Sequence, residues 1–147
     1  MTPGFFQISL KLFLMRGDEL LILRDRASKY GDLPGGRLGE TEIYLPFPES
    51  LGREIREELG ESVRYSLNPE PLFVFPHKMI AGHEALGIAF IGRYEGGEIE
   101  LSEEHDQMKW ENVRSFDPRS VFFAHLLDAV LRFQSEFDLI RRKAPAE

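Results

Sequence analysis

The chain has 147 residues, 42% hydrophobic and 29% charged, which suits one soluble domain with a sizeable core and excludes a disordered or fibrous protein. The lack of cysteine excludes disulfides, thiolate metal sites and cysteine catalysis. A net charge of -7 without a dense basic stripe argues against nucleic acid as a partner, and no apolar run approaches the roughly 20 residues of a membrane span.

In chain order, Phe5 to Met15 is apolar and loosely alternating, which predicts a strand. Gln7, Ser9 and Lys11 interrupt it, so it does not read as a secretory signal, and the expected setting is cytoplasmic with no membrane partner. A turn at 16–19 and a second apolar run, Leu20 to Leu23, complete a predicted hairpin. The polar loop 25–31 leads to Pro34-Gly35-Gly36, where the backbone can turn sharply or approach another group closely. Ile43-Tyr44-Leu45 reads as a short strand or an apolar flap.

Phe47-Pro48-Glu49 predicts a helix start, with proline at the first position and a carboxylate at the positive end. Leu51, Ile55 and Leu59 recur every four residues as its buried stripe, and Gly60 stops it. Strands are predicted at 63–67, 72–75 and 86–94, a short edge at 99–101 and a last strand at 109–113, with His77 and His83 flanking a hairpin at 78–82. Asp117 and Pro118 open a final helix to about Phe137, and 141–147 is expected to be a frayed tail. The order predicts one domain over 1–147 of the α+β class, an α/β/α sandwich with a mixed central β-sheet between helices.

Glu54, Glu57 and Glu58 stand at i, i+3 and i+4 and share one helix face. Glu49, Arg53 and Glu57 follow at intervals of four, a Glu–Arg–Glu ladder. The face is either a solvated acidic surface or a site for a hard cation, Mg²⁺ or Mn²⁺. The nearby Gly35-Gly36 favours the second, because glycine backbone can come close to a metal site and place a phosphate.

Residues 35–41, Gly-Gly-Arg-Leu-Gly-Glu-Thr, followed by 48–60, resemble the signature of the Nudix hydrolases (MutT-like). The second half matches residue for residue, Arg-Glu-apolar-x-Glu-Glu-x-Gly over Arg53 to Gly60, and the likeness extends over most of the chain. The resemblance implies a Nudix-like fold and metal-dependent hydrolysis of a pyrophosphate bond by water attack on phosphorus. The substrate would be a small nucleotide: a nucleotide sugar, ADP-ribose or a nucleoside triphosphate. It implies Glu54, Glu57 and Glu58 as Mg²⁺ (or Mn²⁺) ligands, the Gly36 carbonyl as a further one, and Arg53 as the brace of the carboxylates. Glu104, ahead of Trp110, is expected as an added ligand or base, and His105 as an alternative base or substrate contact. Arg24 and Arg37 are expected phosphate contacts, and Trp110 is expected in the core. A nucleotide-binding module that keeps the fold without turnover is the alternative.

One departure stands out. The family has a glutamate eight positions before the arginine, where this chain has Leu45. Glu40 is taken as its equivalent, with extra residues at 41–47 rearranging the loop. Tyr44, Leu45 and Phe47 in that segment cover the core, line a pocket or form a homodimer surface.

Overall fold

In the computed structural model, residues 1–78 and 84–146 are described; of the hairpin expected at 78–82, residues 79–82 lie outside this set, as does His83. β1 (Gln7–Arg16) puts Leu10, Leu12 and Leu14 on one face and Phe13 and Met15 on the other, as the two-residue period of a strand requires. β2 (Glu19–Asp25) returns through Gly17, whose φ of 61° suits glycine. The two strands pair through Met15–Leu20 and Arg16–Glu19 and then part. β3 (Gly31–Asp32) continues on β2 and β4 (Gly35–Arg37) lies on β1, so Leu33-Pro34 crosses from one to the other.

The Gly-Gly segment read as a turn is therefore a strand, with Gly36 opposite Leu10. Glycine is required at 35: φ is 137°, and a Cβ there would overlap the Leu10 carbonyl.

A single 3₁₀ turn, Glu42–Tyr44, precedes α1 (Phe47–Leu59). Leu51, Ile55 and Leu59 are fully buried along α1, each contributing about 1.5–3 kcal/mol of apolar burial. β5 (Arg64–Leu67), β6 (Phe73–His77), β7 (Ala85–Gly96) and β8 (His105–Asn112) complete the sheet. β7 runs parallel to β1 and antiparallel to both β5 and β6, and β8 pairs antiparallel with β2. The edge expected at 99–101 is not a strand. Instead the Glu100 and Ser102 N–H groups donate to the Leu59 and Glu58 carbonyls at 2.8 and 3.3 Å, capping α1. β8 starts at His105, earlier than the expected Lys109.

The predicted C-terminal helix is broken. Asp117 caps a 3₁₀ turn at Pro118–Ser120 by accepting the Arg119 N–H, and α2 (Ala124–Ser135) and α3 (Phe137–Ile140) follow. The break falls where the Val121 carbonyl accepts the Gly31 N–H at 2.8 Å, tying this segment to β3. The described part of the tail is tied down. Arg141–Lys143 form a 3₁₀ turn, the Lys143 carbonyl accepts from Asn68, and the Pro145 and Ala146 carbonyls accept from Arg93.

α1 packs on one sheet face over Leu10, Leu12, Leu21, Leu23 and Phe90. α2 and α3 cover the other, where Phe13 stacks on Phe133 at 4.1 Å. This is the mixed sheet between helices that the sequence predicts. Trp110 is half-buried against the α1 side, with the Arg16 guanidinium 4.3 Å from its ring. Among the described residues no helix is long and apolar enough to cross a membrane.

Candidate metal and phosphate site

The site occupies the gap left where β1 and β2 part. Lys11 points into it from β1, buried to 5% exposure, and donates to Asp32 Oδ1 at 2.9 Å and to the Leu33 carbonyl at 3.1 Å. Asp32 also accepts the Leu33 N–H, and its Oδ2 lies 2.9 Å from His105 Nε2 at the start of β8. Burial works against the Asp32 charge, but Lys11 and the His105 bond outweigh it and hold the carboxyl well below the usual range.

α1 supplies the carboxylates. Glu58 is buried, its Oε1 accepts the Gly35 N–H at 2.7 Å, and its Oε2 stands 4.0 Å from His105 Nδ1. Glu54 lies against β4 so closely that a Cβ on Gly36 would be 2.5 Å from its carboxyl carbon. The loop ahead of β8 brings Glu104 in as well: Glu58, Glu104 and His105 each place one donor atom within 4.8 Å of the others. Arg26 holds this loop, its backbone N–H bonding the Glu104 carbonyl and its side chain the Glu103 carbonyl.

The electrostatics are those of carboxylates whose burial outweighs the counter-charges beside them. Burial pushes the Glu58 carboxyl up to about 7 against the pull of Lys11 and the Gly35 N–H. Burial also raises Glu54, with Arg53 opposing and Glu57 adding repulsion. A divalent cation reverses both penalties. Hard carboxylate oxygens suit such an ion: Glu58 and Glu104, with His105, form a group whose spacing could hold one, and Glu54 lies against the glycine backbone at Gly36.

Glu57 differs from its neighbours: it is 57% exposed and its described partner is Arg53 Nη1 at 3.2 Å. Arg53 braces the cluster, reaching Glu54 at 3.1 Å as well. Its main anchor, however, is Glu42, gripped by both sides of the guanidinium fork at 3.0 and 2.6 Å. Glu42 also accepts the Gly39 N–H at 2.6 Å, and these bonds from Arg53 and Gly39 hold its carboxyl down at about 2. Glu40, taken as the equivalent of the family glutamate, is exposed, and the loop carboxylate that meets Arg53 is Glu42. The 3₁₀ turn and Leu45-Pro46 absorb the extra length, which the spacing count could not anticipate. Glu42 likewise replaces Glu49 in the expected ladder. Ile43, Tyr44 and Leu45 are exposed rather than part of the core, whereas Phe47 packs against it.

Two expected phosphate contacts are engaged elsewhere. Arg24 grips Asp106 through two bonds of 2.8 and 3.0 Å, and Lys29 joins the same carboxylate at 2.7 Å. Arg37, exposed next to Gly36, donates to Gln7. His105, expected to touch substrate, is 2% exposed and faces the carboxylates. His77 and His125 stack with ring centres 6.1 Å apart, and burial pushes both toward the neutral form, His77 to about 3. Among the described residues neither joins a metal-donor cluster.

Lys11 and Asp32 are participants that the sequence reading missed. A lysine in the middle of a strand otherwise packed with Leu and Phe is the signal that would have found the first, because a buried ammonium needs a carboxylate.

No family model matches the chain. It is 30% identical over 142 residues to the NAD-capped RNA hydrolase NudC of Mannheimia succiniciproducens, an alignment covering 87% of this chain and 49% of that protein. The chain thus spans about half the length of this curated relative. Among solved structures, a UDP-X diphosphatase superposes with a TM-score of 0.71 at 13% identity, over 98% of this chain and 68% of that one. The MutT protein of Methanosarcina mazei Go1 superposes with a TM-score of 0.68 at 23% identity, over 90% of this chain and 95% of that one. In this fold, and in the helix Arg-Glu-Ile-Arg-Glu-Glu-Leu-Gly set against a glycine strand, the chain is similar to the Nudix, MutT-like hydrolases.

Proposed function

We propose that this protein is a divalent-metal-dependent pyrophosphohydrolase that splits the diphosphate linkage of a small nucleotide. The observation that carries the reading is the interlock of α1 with β4: Glu54 fills the space of a missing Gly36 side chain while Glu58 bonds the Gly35 N–H. An acidic surface face has no reason to be buried at such an electrostatic cost.

When bound, Mg²⁺ or Mn²⁺ would neutralise phosphate charge and lower the pKa of water. The chain does the positioning. Glu54, Glu58 and Glu104 would hold the cation, and the Gly36 carbonyl would be a further oxygen donor. Arg53, pinned by Glu42, keeps Glu54 and Glu57 in place. Water attacks one phosphorus, the bond to the bridging oxygen breaks, and two phosphorylated products leave. Arg37, exposed on β4, is a candidate to meet an outer phosphate by exchanging its bond to Gln7.

The names of the similar proteins guide the choice of probes. NAD, a UDP-sugar, ADP-ribose, a dinucleoside tetraphosphate and a nucleoside triphosphate, each with Mg²⁺ and with Mn²⁺, form the panel, read by chromatography of the products. Cleavage of at least one at its pyrophosphate is expected. Binding by calorimetry without product from any of them would instead identify a nucleotide-binding module.

A further inference from the structure

We propose that His105 Nδ1 is a ligand of the bound cation, making the site a mixed nitrogen–oxygen centre that prefers Mn²⁺ to Mg²⁺. The inference rests on the metal-site reading above and sharpens it.

The two ring nitrogens of His105 have different surroundings. Nε2 is 2.9 Å from Asp32 Oδ2, and a carboxylate can only accept, so Nε2 carries a proton. Lys11 and the Leu33 N–H fix Asp32 in turn. Nδ1 has no hydrogen-bond partner although the residue is 2% exposed. Glu58 Oε2, at 4.0 Å, is too distant for a hydrogen bond, yet with Glu104 it lies within the 4.8 Å spread of a common ligand set. An unpartnered buried nitrogen is costly, and here it stands 4.0 Å from the buried Glu58 carboxylate.

A cation between Nδ1, Glu58 and Glu104 answers both needs. The remainder of the arrangement matches how proteins prepare an imidazole ligand: the other ring N–H donates to a carboxylate, which fixes the ring orientation. Here that support extends through Asp32 to a buried lysine. A second grouping, Asp25, Asp32 and His105, makes no such site, because Asp32 already accepts from Lys11, Leu33 and His105 and Asp25 accepts the Ser28 N–H. Mg²⁺ prefers an all-oxygen octahedron and keeps its waters, whereas first-row transition ions accept imidazole readily, hence the preference.

The test is pulsed electron paramagnetic resonance of Mn²⁺ bound to the whole protein, without substrate. A ¹⁴N modulation from a directly bound imidazole is expected, replaced by the ¹⁵N pattern when the protein is made with ¹⁵N-histidine. His105→Gln should abolish it and weaken Mn²⁺ binding by about 10–100-fold, with Mg²⁺ weakened less than about threefold. If that variant fails to fold, the isotope exchange is repeated in His83→Gln, and a ¹⁵N pattern that persists there supports His105, the one histidine in a metal-donor cluster among the described residues. Bound Mn²⁺ without nitrogen modulation, or modulation that persists in His105→Gln, overturns this proposal and leaves the oxygen site standing. Absence of Mn²⁺ binding overturns the metal reading as well.

Discussion

Gly35 and Gly36 are adjacent, yet substituting them separates folding from function. At Gly36 an alanine Cβ would sit 2.5 Å from the Glu54 carboxyl carbon and 2.6 Å from both its oxygens, while ordinary contact begins at 3.4 Å. The carboxylate must therefore retreat by about 1 Å. It is the end of a flexible side chain, so Gly36→Ala should cost only about 1 kcal/mol, near 3 °C in melting temperature. Displacing a metal-holding group by that distance should lower turnover about 100-fold and weaken Mn²⁺ binding. Gly35→Ala meets the Leu10 carbonyl at a φ of 137°. Backbone must move, at about 3 kcal/mol or more, and the melting temperature should fall by about 9 °C. Calorimetric melting and Mn²⁺ titration of both variants check this. A Gly36→Ala protein with unimpaired metal binding and turnover, or one as unstable as Gly35→Ala, would refute the role given to Glu54.

Other expected outcomes concern charge and packing. The Glu58 carboxyl stands at about 7 in the fold against an ordinary 4.5, so between those values the native state keeps a proton the unfolded chain has released. Metal-free protein should therefore lose stability as pH rises from about 4.5 to 7, by about 3 kcal/mol at most, and urea titrations of Glu58→Gln should show a flatter profile. Glu42, held at about 2, works with the opposite sign: its contribution is complete above 4.5 and disappears as pH falls toward 2. The melting difference between wild type and Glu42→Gln should shrink over that interval, and Glu42→Gln should slow turnover by freeing Arg53. Ile55→Ala, at a fully buried position on the back of α1, should cost about 3 kcal/mol by urea unfolding.

Much of the frame was legible because local signals agreed. Pro48, the Leu51/Ile55/Leu59 period and Gly60 define α1 without tertiary help, and the α1 carboxylates follow from the same spacing. What escaped depends on contacts distant in sequence. Gly35-Gly36 carries turn chemistry but becomes a strand because β1 offers an open edge once β2 diverges. Glu42 was hidden by loop length, since the 3₁₀ turn that delivers it to Arg53 changes the count but not the contact. His105 was expected as a base or substrate contact; only pairing with Asp25 on β2 turns it inward. Arg24 and Arg37 read equally well as phosphate contacts, and nothing local reveals that Asp106 occupies the first.

The central claim is that the inward carboxylates of α1 build a metal centre for pyrophosphate cleavage. The most direct test is the double change Glu54→Gln, Glu58→Gln, assayed with Mn²⁺ on whichever panel nucleotide the wild type cleaves. Glutamine keeps the shape and removes the charge, so the protein should fold while Mn²⁺ binding is lost and turnover falls at least about 1,000-fold. A folded double variant that still cleaves the nucleotide at a rate near wild type would contradict the account.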